Sequence, residues 1–116
     1  MKKYLCTIFL TSLMSFGAAQ AQNVKNAIVG VGAFTCGDWT EARSGRGTPI
    51  LASATETWAQ GYLSGSNQQY SAEYVTLPSV STINAYLENY CRQYPLKRIH
   101  EGLGALYAQL AKEGVR

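Results

Sequence analysis

Charge is scarce in this chain: only 15% of its 116 residues are Asp, Glu, Lys or Arg. It has one histidine, three prolines and three cysteines. Each shortage excludes something. A Ser-His-Asp arrangement has a single candidate base, His100, which follows Ile99 on an apolar-rich segment beside Lys97 and Arg98, a setting typical of packing or surface. No Cys-x-x-Cys spacing is present for a redox pair, and a zinc site wants more ligands than the cysteines and one histidine offer. Asp38 and Glu41 are the nearest thing to paired carboxylates, but they sit at a helix start, where acidic groups are favoured by the helix dipole. Gly45-Arg46-Gly47 is too short for a phosphate loop. The expectation is a single small domain that is not an enzyme and carries no cofactor and no metal.

The first 21 residues read as an address. Lys2 and Lys3 form a basic start, Leu5 to Phe16 an apolar run, and Ala19-Gln20-Ala21 places small residues where a signal peptidase reads them. Cleavage before Gln22 is expected, with a periplasmic product. The apolar run falls short of the ~20 residues a membrane span requires, so stable membrane insertion is not expected. Without Lys2 and Lys3, the 10 basic groups become 8 against 7 acidic ones, a net charge near +1. No basic cluster longer than Lys97-Arg98 remains, and a nucleic-acid partner is not expected.

Cys6 leaves with the signal, and the remaining pair, Cys36 and Cys91, reads as one disulfide in an oxidising compartment. Closing a loop of that size stabilises a fold by about 4 kcal/mol on the chain-entropy model.

Residues 22–34 form an irregular lead-in, and residues 35–113 the disulfide-bonded domain. A short helix is expected from Cys36 to Arg43, ending in the loop Ser44 to Pro49. Ser53-Ala54-Thr55-Glu56 has the form of a capping box and predicts the start of a second helix, fading by Ser66-Asn67. Gly61 and Gly65 lie four apart on it; the reading favoured is close packing of another segment, the sharper one a ligand on bare backbone. A polar connector, Asn67 to Pro78, follows. Ser79 or Ser81 caps a third helix with Ile83, Tyr86, Leu87, Tyr90 and Cys91 on one stripe. Pro95 stops it and starts a fourth, striped by Leu96, Ile99, Leu103, Leu106 and Leu110. No segment reads as a strand. The fold class expected is all-α, a small four-helix domain stapled by one disulfide.

Tyrosines are frequent, and Tyr86, Tyr90, Tyr94 and Tyr107 fall on the last two helices. They read equally as the edge of the core or as a contact surface, since tyrosine supplies large area at low entropy cost.

The order Cys36-Gly37-Asp38-Trp39, then Trp58-Ala59-Gln60-Gly61-Tyr62-Leu63-Ser64-Gly65, then Glu88-Asn89-Tyr90-Cys91-Arg92-Gln93 resembles the HdeA/HdeB family of periplasmic acid-stress chaperones over roughly residues 34–112. The resemblance implies that Cys36 and Cys91 match that family's disulfide. It implies that the face around Trp58, Tyr62 and Leu63 serves dimer contact and, after acid exposure, unfolded client proteins. A second, looser similarity is to Tai-type immunity proteins, which implies an inhibitory module whose 67–78 connector enters the cleft of a periplasmic enzyme. The protein-binding residues expected are Trp58, Tyr62, Leu63, Tyr86 and Tyr90. The partners expected are unfolded clients or a periplasmic protein, with a homodimer as a further possibility.

Overall fold

In a computed structural model, residues 28–70 and 74–114 are described; the expected signal peptide, residues 1–21, and residues 22–27 of the lead-in lie outside them. Four helices make up the domain: α1 (Cys36–Arg43), α2 (Pro49–Tyr70), α3 (Val80–Gln93) and α4 (Ile99–Glu113), preceded by a 3-10 turn, Gly30–Ala33. Among the described residues there is no strand, only a single antiparallel bridge between Thr35 and Arg98. The all-α fold and the Cys36–Cys91 disulfide stand as expected. The two Cα atoms lie 4.9 Å apart across 55 residues of sequence.

The stripes explain the core. Ile83, Leu87 and Cys91 of α3 meet Ile99, Leu103 and Leu106 of α4, and Trp39, Ala59 and Leu63 close the centre from α1 and α2. Each fully buried leucine contributes about 1.5–3 kcal/mol through removal of its side chain from water. Ser79 caps α3, its hydroxyl accepting from the Thr82 amide at 3.3 Å.

The second helix departs from expectation at both ends. It starts at Pro49, because proline's fixed φ suits a first helical position and its missing N–H is lost nothing there. Ser53 is therefore interior and donates to the Ile50 carbonyl at 3.1 Å. Its supposed partner Glu56 instead accepts from Asn84 Nδ2 at 2.8 Å. The helix also outlasts Ser66-Asn67 and runs to Tyr70; neither side chain caps it, Ser66 donating to the Tyr62 carbonyl at 2.9 Å and Asn67 bonding to the connector. Asn67 Nδ2 donates to the Val75 carbonyl at 2.8 Å, and the Val75 amide donates to Asn67 Oδ1 at 3.0 Å.

Two further expectations are corrected. Gly61 and Gly65 are not packed against anything: a Cβ at either would meet nothing within 4 Å. The fourth helix begins at Ile99, not at Pro95. Residues 95–98 run across the start of α1 instead, where Gly37 N donates to the Pro95 carbonyl at 3.0 Å and Cys36 N to the Lys97 carbonyl at 2.7 Å. Leu96 consequently leaves the stripe and is 89% exposed.

Candidate functional site

The residues singled out for protein contact fall into two aromatic groups flanking α4. On α2, Trp58 and Tyr62 stack with ring centroids 5.2 Å apart. Both are half-buried, being one helical turn apart at the edge of the core. The 3-10 turn covers Trp58: a methyl group added at Gly32 would collide with the Trp58 ring, so only glycine permits the approach. His100 fastens the cover, its Nδ1 donating to the Gly32 carbonyl at 2.9 Å. That places the single histidine in a structural tie between the lead-in and α4. Leu63, the third residue of the group, is fully buried and offers no surface in the folded state.

On α3, Tyr86 and Tyr90 stack at 6.4 Å, and Tyr94 continues the ladder at 5.0 Å from Tyr90. Burial raises the Tyr86 and Tyr90 phenols above the ordinary tyrosine value, with neighbouring Tyr90 adding to it at Tyr86 and Glu101 at Tyr90. Gly102 of α4 admits the Tyr90 ring, while Gly104, about 200° round the same helix, lies beside the Tyr62 hydroxyl. The structure thus brings Trp58 to Tyr62 and Tyr86 to Tyr90, and holds the two pairs apart.

The exposed end of the ladder was not apparent from the sequence. Tyr94 is 48% exposed and Leu96 89%, in the connection between α3 and α4; Phe34, which the bridge holds beside this connection, is 47% exposed. These apolar side chains sit at the crossing of residues 34–37 with 95–99, where the Ile99 amide donates to the Phe34 carbonyl at 3.0 Å.

Charged groups organise the same crossing. Thr35 caps α1, accepting from the Asp38 amide at 3.2 Å, and Asp38 Oδ2 accepts in return from the Thr35 amide at 2.9 Å and hydroxyl at 2.7 Å. The Thr35 hydroxyl and backbone hold the Asp38 carboxyl below its ordinary value. At the start of α4, Glu101 accepts from Lys97 Nζ at 2.8 Å and from the Arg98 amide at 2.8 Å, and these two contacts lower its pKa. The Thr-x-x-Asp spacing at Thr35–Asp38 is the sequence signal that would have revealed the first of these caps.

An open cleft of about 580 Å³ lies between α1 and α3 beside the disulfide, lined among others by Trp39, Arg43, Glu88 and Arg92. Its cations are already engaged. Arg92 pairs with Glu88 at 3.5 Å; Arg43 lies over the Trp39 ring at 5.2 Å and reaches Glu56 at 3.7 Å. Among the described residues no group of three or more His, Cys, Asp or Glu could hold a metal ion, and no helix is long and apolar enough to cross a membrane. Comparison with protein-family models, with curated proteins and with solved structures gives no match.

Proposed function

We propose that this protein is a small periplasmic acid-stress chaperone of the HdeA/HdeB kind, which binds unfolded proteins through aromatic surface. The observation that carries the reading is the half-buried aromatic pair Trp58–Tyr62, whose Trp58 ring lies beneath the four-residue turn Gly30–Ala33. Such a surface is withheld in the folded state and within reach of a small opening. The composition supplies the driving force. Protonating the seven acidic side chains and His100 takes residues 22–116 from a net charge near +1 to about +9, and self-repulsion of that size loosens a lightly charged domain. The Cys36–Cys91 disulfide keeps the opened chain compact and able to return.

A pH titration of residues 22–116 tests this. Circular dichroism, hydrophobic-dye binding, sedimentation and a client-aggregation assay would be followed at each point. Reversible loss of tertiary packing, with dye binding and client protection below about pH 3, is the expected outcome. Irreversible aggregation, or a fold that binds no dye and protects no client in acid, would overturn it.

One observation favours the inhibitory module as a second reading. Asn67 pins Val75 by two hydrogen bonds, and beside it Tyr74 is 79% exposed, an aromatic side chain offered from a tethered position. Replacing residues 74–77 by Gly/Ser would abolish partner capture on this reading and leave acid-induced client protection intact on the first.

A further inference from the structure

The helices that flank the open cleft, α1 and α3, are tied to each other twice. One tie is the Cys36–Cys91 bond. Seven residues on from Cys36 stands Arg43, and seven back from Cys91 stands Asn84. Glu56 of α2 links those two, its Oε1 accepting from Asn84 Nδ2 at 2.8 Å and lying 3.7 Å from Arg43. The two helices therefore run antiparallel and in register over about 10 Å, two turns. Trp39 and Glu88, each three residues from its cysteine, share one level between the ties. Arg43 lies one turn, about 6 Å, beyond that level.

The engagements of the two arginines in this cleft are loose. The Arg43 guanidinium lies over the Trp39 ring, 5.2 Å from its centre, which positions the group and leaves its N–H donors to other acceptors. Its ion pair, at 3.7 Å, is to an oxygen that Asn84 already occupies. Arg92 reaches Glu88 at 3.5 Å and Asn89 at 3.4 Å. Charge-assisted hydrogen bonds run at about 2.7–2.9 Å, and exposed pairs longer than that contribute little, so an incoming group displaces either contact at small cost. With Glu41 the lining carries two guanidiniums and two carboxylates. A ligand of one sign meets repulsion there as well as attraction, whereas a ligand with one charge of each sign is oriented.

We propose that the cleft between α1 and α3 binds a free dipeptide, with the peptide carboxylate on Arg43 and its ammonium on Glu88. Both ends of such a peptide are charged at neutral pH. Two extended residues span about 7 Å, close to the single turn that separates the levels of Glu88 and Arg43. The cleft's volume of about 580 Å³ is that of a small-ligand site, and Gly37, Cys91 and Pro95 give it an apolar lining for the peptide's side chains. Neither Trp58 nor Tyr62 lines it, so the site is separate from the surface assigned to clients and does not rest on the chaperone reading.

The test is a titration of residues 22–116 with alanyl-leucine at neutral pH, followed by NMR at the indole N–H groups of Trp39 and Trp58, the two tryptophans of the chain. Trp39 walls the cleft and should shift saturably, while Trp58 should stay in place. N-acetyl-alanyl-leucine and alanyl-leucine amide each lack one charged end and should bind about tenfold more weakly. Leucine alone is too short to reach both groups and should weaken by a similar factor. Arg43→Gln should erase the preference for a free carboxylate and keep that for a free amine, and Glu88→Gln should do the reverse. The ligand series on the parent protein decides the matter by itself if either variant fails to fold. No saturable shift at Trp39, an equal shift at Trp58, blocked peptides or leucine that bind as well as alanyl-leucine, or variants with unchanged preferences would each overturn the site. None of these readouts involves acid or a client protein, so failure here leaves the chaperone reading standing, and failure of that reading leaves this site standing.

Discussion

Glycines at four positions divide the molecule into two kinds of surface. Gly32 and Gly102 are places where one segment presses on another: a Cβ at Gly32 would enter the Trp58 ring, and one at Gly102 would come within 2.9 Å of Tyr90 and 3.0 Å of Leu87. Gly61 and Gly65, on the exposed face of α2, meet nothing within 4 Å. The first two are required by packing. The second two cost helix stability and gain no contact in return. The residue is the same in both regions, so its meaning comes from what is folded against it.

Four measurements break or sharpen that contrast. The largest effect belongs to the staple beside the packed region. Replacing Cys36 and Cys91 together by alanine should lower stability by about 4 kcal/mol, read as an earlier urea midpoint. Unchanged stability would mean that the crossing and core suffice without it. Next, Gly32→Ala and Gly102→Ala should each destabilise by about 1–3 kcal/mol through overpacking, seen as a lower Tm. If Gly102→Ala were neutral, the Tyr90 ring would have room to swing away.

Third is the cap. Thr35→Ala should cost about 1 kcal/mol near neutral pH by leaving the start of α1 without its side-chain acceptor. The Asp38 and Glu101 pKa values are lowered on folding, so stability should fall as the medium is acidified through their folded values. Asp38→Asn with Glu101→Gln should therefore show a shallower acid branch in a plot of urea midpoint against pH. An equally steep branch would assign acid sensitivity to the other carboxylates. The smallest effect has the opposite sign. Gly61→Ala and Gly65→Ala should each raise stability by about 0.4–1 kcal/mol, because alanine narrows the unfolded ensemble and the added methyl meets open space. A loss of stability there would show that a contact exists in solution on the bare face of α2.

What the sequence made legible follows the range of the forces involved. The stripes Ile83–Leu87–Cys91 and Ile99–Leu103–Leu106 repeat with the helical period, and each position was readable from its own neighbours. Ser79 was readable as a cap for the same reason. The start of α4 was not, because residues 95–98 are held by amides of Cys36 and Gly37, nearly sixty residues away in the chain. Ser53-x-x-Glu56 misled because Pro49 had already begun the helix, leaving Glu56 free to bond Asn84. Of the contact residues, Leu63 obeyed the core stripe and vanished from the surface, whereas Trp58 and Tyr62 stayed at its edge. The exposure of Phe34, Tyr94 and Leu96 arises where two loops cross, which no local pattern encodes.

The disulfide has a topological consequence. Cys36 and Cys91 are joined across 55 residues, and that ring contains α1, all of α2 and most of α3. Cutting the backbone anywhere between Gly37 and Tyr90 therefore yields two fragments that still travel as one covalent molecule, separable only by a reductant. A single proteolytic nick there leaves the mass of the domain intact, and the helices on either side of the cut remain in each other's reach.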